Sequence, residues 1–201
     1  KKINIKNQKV HKDLIENNRR FKNFLNNIGL GHIYKKSQKY LNLKDRRISN
    51  HPHIPDLSDI YYIYNLIVLN NRINILEYGT GWSSLAIYKA LLYNKKKNKG
   101  KFYTRCENPY SLNIIDNSKR FIQISKKRLE KEFGKKNNIN FFYSKCEMTK
   151  FNDKYAHHYI NHPVINPDFI FLDGPNNFYV TGKSENFTVN NFSMQPMGCD
   201  I

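Results

Sequence analysis

The chain has 201 residues, enough for a single domain with one sizeable core. Its 34 Lys and Arg against 16 Asp and Glu give a formal charge of +18, which invites a polyanionic partner. The lysines are dispersed or sit in loops such as residues 95–99, however, and no zinc-finger, RNP or arginine-rich signature accompanies them. No apolar run approaches the ~20 residues of a membrane span, so a membrane partner is not expected. Cys106, Cys146 and Cys199 are far apart with no C-x-x-C spacing and no signal peptide, which reads as reduced thiols in a cytoplasmic setting.

Residues 1–54 are rich in Lys, Arg and Asn, with Leu14, Ile15, Phe21, Phe24, Leu25 and Ile28 at helix-like spacing that Gly29 and Gly31 interrupt. They predict a basic, mainly helical N-terminal extension to a domain over residues 55–201. The run His51-Pro52-His53-Ile54-Pro55 reads as a stiff linker or turn, after which Asp56 or Ser58 caps a helix that runs to Leu69.

Residues 72–90, RINILEYGTGWSSLAIYKA, are the most telling. Ile73, Ile75 and Leu76 read as a buried strand that ends in Glu77, breaks into Gly79-x-Gly81, and passes to a helix carrying Leu85, Ala86, Ala90 and Leu91, with Ser83 or Ser84 as its cap. Such a turn lets the backbone approach a ligand closely and offers unpaired helix N–H groups to an anion. Strand-Glu77-x-Gly79-x-Gly81 resembles the first motif of the class I S-adenosylmethionine-dependent methyltransferases. The resemblance covers about residues 55–201 and implies a Rossmann-like α/β domain, a doubly wound parallel sheet with helices on both faces. It further implies S-adenosylmethionine as cofactor, Glu77 near its amino-acid end, and Tyr78, Gly79, Thr80 and Gly81 lying against it. A dinucleotide fingerprint wants a third glycine where Ser84 stands, so NAD is the poorer fit. A buried strand and tight turn without a ligand is the plain alternative, and Trp82 reads as packing beneath the turn, with lining the acceptor pocket as the alternative.

Residues 101–106 (KFYTRC) read as the second strand, ending in Glu107. An acid at that tip accepts both ribose hydroxyls in doubly wound folds, which gives Glu107 that role unless it is a solvated strand end. A helix follows within residues 118–133, with Phe121, Ile122, Ser125, Leu129 and Phe133 on one face, stopped by Gly134. Residues 140–144 read as the third strand. The resemblance then sets Cys146, Glu147 and Met148 beside the adenine; a plain loop is the alternative.

The fourth strand, residues 168–172 (DFIFL), is apolar enough to be central and buried on both faces. It delivers Asp173-Gly174-Pro175 to the edge where open α/β sheets place ligands, which makes Asp173 the catalytic candidate against the simpler reading of an Asx turn. The resemblance implies that Asp173 orients the acceptor, acts as a general base or, in some O-methyltransferases, holds a divalent metal. Asp-Gly-Pro departs from the Asn-Pro-Pro-Tyr pattern of many amino-methylating enzymes. That weakens the case for a nucleobase or amide nitrogen; the resemblance implies methyl transfer to an oxygen or nitrogen, with a small-molecule or glycan-type acceptor as the expectation.

His157, His158 and His162 fall in a predicted loop without a carboxylate partner, so no metal site is expected. Gly182-Lys183-Ser184 imitates a P-loop, but Asn177 stands where its first glycine belongs. Residues 192–201 look like the approach to a fifth strand, so the chain reads as a C-terminally incomplete member of the family. Two other classes stay open: an NAD-dependent oxidoreductase, and a non-catalytic nucleic-acid-binding module using the basic and aromatic residues around Tyr34 to Tyr40.

Overall fold

The computed structural model describes residues 18–39, 54–99, 106, 108–191 and 197–199. Residues 18–27 form helix α1; Gly29, at φ +77°, breaks it, and α2 (Gly31–Lys39) follows. Leu14 and Ile15 lie outside the described residues. Helix α3 (Leu57–Leu69) starts where Asp56 accepts hydrogen bonds from the N–H groups of Ser58 and Asp59, the first of the two caps expected.

A parallel sheet has the strand order β3-β2-β1-β6. Its members are β1 (Asn74–Tyr78), β2 (Ser111–Asp116), β3 (Ile139–Tyr143) and β6 (Phe169–Leu172). Helix α4 (Ser83–Lys97) connects β1 to β2, and α5 (Lys119–Phe133), capped by Ser118 and stopped by Gly134, connects β2 to β3. Between β3 and β6 lies a hairpin of β4 (Cys146–Phe151) and β5 (Lys154–Tyr159). Asn152 and Asp153, both at positive φ, form its two-residue turn. With β7 (Val180–Thr181) and β8 (Met197–Gly198) the hairpin makes a second sheet of order β7-β4-β5-β8.

Side chains alternate across β1. Ile75 joins Leu112 and Ile114 in a core closed by α3, α4, α5 and, through Leu25, Leu30 and Ile33, by α1 and α2. Leu85, Ala86, Ile87, Ala90 and Leu91 of α4 are each fully buried there, and each large aliphatic among them contributes about 1.5–3 kcal/mol by leaving water. The N-terminal helices and the sheet therefore share one core. Leu76, Tyr78 and Ile115 face the other way, onto Cys146 and Tyr159 of the second sheet. The helices among the described residues thus cover one face, and a sheet occupies the face where further helices were expected.

Three more expectations change. The strand beside β1 is Ser111–Asp116; of the predicted second strand, residues 101–105 lie outside the described residues, as does Glu107, and Cys106 is not in a strand. The strand predicted to be central, β6, is at the edge of its sheet, with Ile170 and Leu172 exposed at 37% and 46%. Met197 and Gly198 pair with β5 in the second sheet, and residues 192–196, 200 and 201 of the predicted fifth strand lie outside the described residues.

Where strand order turns at β1, the loops after β1 and β6 meet backbone to backbone. A Cβ on Gly79 would stand 2.7 Å from the Asp173 carbonyl and the Gly174 nitrogen, and one on Gly174 would stand 2.7 Å from the Gly79 Cα. Gly79 also has φ +88°, whereas Gly134, at φ +81°, has nothing within 4 Å. Gly134→Ala is therefore expected to cost only its backbone strain, about 1–3 kcal/mol for a residue at φ +81° and ψ +169°, a region nearly confined to glycine. Gly79→Ala should add overpacking strain of about 1–3 kcal/mol, read as a clearly larger drop in thermal midpoint; equal drops would refute the close-approach argument.

Candidate functional site

At the C-terminal ends of the parallel strands a cleft of about 340 Å³ opens beside the turn after β1. Its walls come from four places: Gly79, Thr80, Gly81, Trp82 and Ser83 from the turn; Asp116 and Phe121 from the end of β2 and the start of α5; Phe171 of β6 and Asp173 to Asn177 after it; and Ile54, Pro55, Asp56, Asp59 and Ile60 at the start of α3. No Lys or Arg lines it among the described residues, although Asp56, Asp59, Asp116 and Asp173 all do. A chain of charge +18 has thus gathered acids around one opening.

The turn is held by bonds that its sequence does not advertise. Neither serine caps α4: the N-cap is Trp82, which makes no side-chain cap bond. Ser83 Oγ lies 2.6 Å from Glu77 Oε1 and 3.1 Å from Asp173 Oδ2, while the Ser84 hydroxyl donates to Glu77 Oε2 at 2.7 Å. The serines tie the strand end to the helix start. Helix α4 thus begins without a side-chain cap; Ser83 of its first turn lines the cleft, while the Leu85 N–H is bonded to the Trp82 carbonyl at 3.3 Å. Arg128 of α5 lies over the Trp82 ring at 3.7 Å and donates to the Gly81 carbonyl at 3.0 Å, bracing the turn from outside.

Glu77 is completely buried and does not line the cleft. Removing a carboxylate from water costs several kcal/mol, against about 1.5–3 kcal/mol for each hydrogen bond to a charged group. Desolvation therefore outweighs the two serines, and with Asp173 and Asp116 nearby it pushes the Glu77 carboxyl up to about 8. Asp116, 2% exposed, is likewise raised to about 7 by burial, with Asp173 adding repulsion. The N–H groups of Ser118 and Thr80, bonded to its two oxygens at 2.6 and 2.9 Å, work against that rise.

Thr80, Gly79, Gly81 and Asp173 of the predicted set meet at the cleft. Tyr78 does not: its ring lies on the opposite face of β1, near Tyr159, with its hydroxyl 3.1 Å from His162 Nδ1. Cys146, Glu147 and Met148 form the start of β4 and stay away from the cleft, Cys146 fully buried and Met148 at 6% exposure. His157 and His158, expected in a loop, are in β5. Among the described residues no group of His, Cys, Asp and Glu is arranged to hold a metal ion, and no helix is long and apolar enough to cross a membrane.

Asp116, Asp56 and Asp59 are the site residues that sequence reasoning missed. Asp116 carried a usable signal, since SLNIID is an apolar-centred run ending in an acid before a helix cap. Comparison of the chain with protein-family models, with curated proteins and with solved structures finds no match in any of the three.

The raised carboxyls make stability depend on pH. Each keeps its proton in the fold to a higher pH than in the unfolded chain, so the fold binds the extra protons and stability falls as pH rises between the two values. That window runs from 4.5 to about 8 for Glu77 and from 3.8 to about 7 for Asp116. Glu77→Gln removes the larger contribution. Its thermal midpoint should decline less steeply with pH across the window and exceed that of the wild type at the alkaline end; parallel curves would refute the burial argument.

Proposed function

We propose that the chain belongs to a Rossmann-like methyltransferase, binding S-adenosylmethionine in this cleft and passing its methyl group to an oxygen or nitrogen of an acceptor. One observation carries the reading: a strand, glycine turn and helix converge with an acid at the tip of each neighbouring strand, Asp116 and Asp173, where strand order reverses. That is the ligand crevice of open α/β sheets, and about 340 Å³ is within the range of small-molecule and cofactor sites. The match with the motif resemblance read from residues 72–90 supports the choice of cofactor.

The proposed division of labour follows from the chemistry of each group. Asp116 takes the ribose-binding role first assigned to Glu107: both its oxygens are fixed by backbone N–H groups, leaving further lone pairs for the two hydroxyls of a vicinal diol. The uncapped start of α4 suits the cofactor carboxylate, and the acidic walls suit its ammonium and sulfonium. Phe121 offers an apolar surface on the Asp116 side. Transfer breaks the sulfur–methyl bond as the acceptor's lone pair bonds to the methyl carbon, leaving a neutral thioether. The protein's task is then alignment and exclusion of water. Asp173, exposed on the cleft wall, receives the acceptor's proton where it has one to lose.

Calorimetric titration with S-adenosylmethionine and S-adenosylhomocysteine, with NAD as control, tests this. Saturable binding of both sulfur ligands is expected, weakened roughly 10- to 100-fold by Asp116→Ala, the value of about 1.5–3 kcal/mol for a hydrogen bond to a charged group. Binding of NAD in place of both would overturn the reading in favour of hydride chemistry.

A further inference from the structure

Ser83 Oγ stands between two carboxyl groups, 2.6 Å from Glu77 Oε1 and 3.1 Å from Asp173 Oδ2. A serine hydroxyl has one hydrogen. It donates to one of these oxygens and turns a lone pair to the other, which is repulsive if that oxygen is ionised and a hydrogen bond if it carries a proton. Both contacts are bonds only when one carboxyl is protonated. Burial decides which one, because Glu77 is fully enclosed and Asp173 opens to the cleft. The proton belongs to Glu77. Ser84 is consistent with this arrangement: it donates to the other Glu77 oxygen while accepting the Gly81 N–H at 3.4 Å, with the Thr80 hydroxyl 3.3 Å away.

We infer that Glu77 and Ser83 are positioning residues for Asp173, a directed chain from Glu77 Oε1–H to Ser83 Oγ and from Ser83 Oγ–H to Asp173 Oδ2. The chain holds Asp173 as an ionised carboxylate on the cleft wall and releases it when Glu77 loses its proton. The inference rests on the methyl-transfer reading only for what Asp173 does next, which is to take the acceptor's proton; the chain itself belongs to the ligand-free protein. Among the described residues, charged groups reach this cluster from several elements. Asp116 comes from β2, Asp173 from the end of β6, and Asp56 and Asp59 from the start of α3 across the cleft. The cation that α5 brings to the turn, Arg128, is engaged with the Gly81 carbonyl and the Trp82 ring. When Glu77 ionises, Ser83 turns its hydrogen to the buried anion, and Asp173 loses that donor and holds a proton more tightly. The basicity of Asp173 therefore steps at the pH where Glu77 titrates.

A carboxyl-carbon NMR titration of the whole chain, labelled at Asp and Glu, reads this directly, with Glu77→Gln and Asp173→Asn assigning the two resonances. Glu77 should keep the protonated shift through neutral pH, and the Asp173 resonance should show a second inflection where Glu77 titrates. Ser83→Ala should abolish that inflection and Ser83→Thr restore it. Glu77→Gln, whose amide still donates to Ser83, should abolish it with the fold intact, so the test survives an unfolded Ser83→Ala. A Ser83 that only packs would leave the Asp173 titration alike in wild type and Ser83→Ala. That result, or a Glu77 ionised at neutral pH, overturns the inference. Cofactor binding is read separately by calorimetry, so the failure of either reading is told apart from the failure of the other.

Discussion

Gly79 and Gly174 touch through their backbones, and the arrangement of the cleft follows from that contact. Because neither has a Cβ, the loops leaving β1 and β6 cross at a separation that any side chain would prevent. The crossing is held by ladder bonds on both sides: the Gly79 N–H donates to the Ile115 carbonyl and the Asp173 N–H to that of Tyr78, each at 2.7 Å. Asp173 is thereby carried to within reach of Ser83, the first residue of α4, although ninety positions separate them. At the other end of the strands Asp168 does the corresponding work, accepting from the N–H groups of Ile73 and Asn74 and fixing the register of β6 on β1. Strand register and cleft geometry are thus two ends of one constraint.

Charge is distributed against the composition of the chain. Overall repulsion among basic residues is the expected cost of +18, yet the carboxyls of Asp56, Asp59, Asp116 and Asp173 face one cavity with no Lys or Arg lining it among the described residues. Such an opening focuses a negative local potential within a positive field, and a ligand group with positive charge is favoured there. The lysines at the end of α4 have an ordinary explanation, since Lys95, Lys96 and Lys97 occupy its last turn, where the helix dipole favours cations. That weakens the case for reading the net charge as a nucleic-acid footprint.

Much of the helical layer was legible. The Asp56 cap, the Gly134 stop and the buried stripe of Phe121, Ser125 and Leu129 are local signals, and they act as the local rules say. The glycine turn and Asp173 were legible because backbone freedom and an acid after an apolar run leave a mark in a few residues. What was missed depends on long-range pairing. Ser111 and Asn113 make the second strand look polar, but their side chains join a buried network with Asn74 and Asn140 on neighbouring strands, which no local pattern reveals. The β4–β5 hairpin hid behind Cys146, Glu147 and Met148, assigned to the adenine by resemblance, although Asn152-Asp153 between two alternating runs is a hairpin signal. Ser83 and Ser84 looked like caps because serine usually is one there; the buried Glu77 at the end of β1, six and seven residues back, engages both hydroxyls instead.

The choice of glutamate at position 77 is itself informative. Buried beside a helix start and bonded to two hydroxyls, the side chain could be replaced in shape by glutamine, which would donate to Ser83, accept from Ser84 and never incur the cost of ionisation in a dry site. As packing alone, the carboxyl is the poorer solution, and its stability deficit grows with pH. The property that glutamine lacks is a proton that can leave. Set one hydroxyl away from an acid in the cleft, that proton gives the interior of the fold a means of adjusting the basicity of Asp173, and this accounts for an ionisable group where a neutral one would hold the structure equally well.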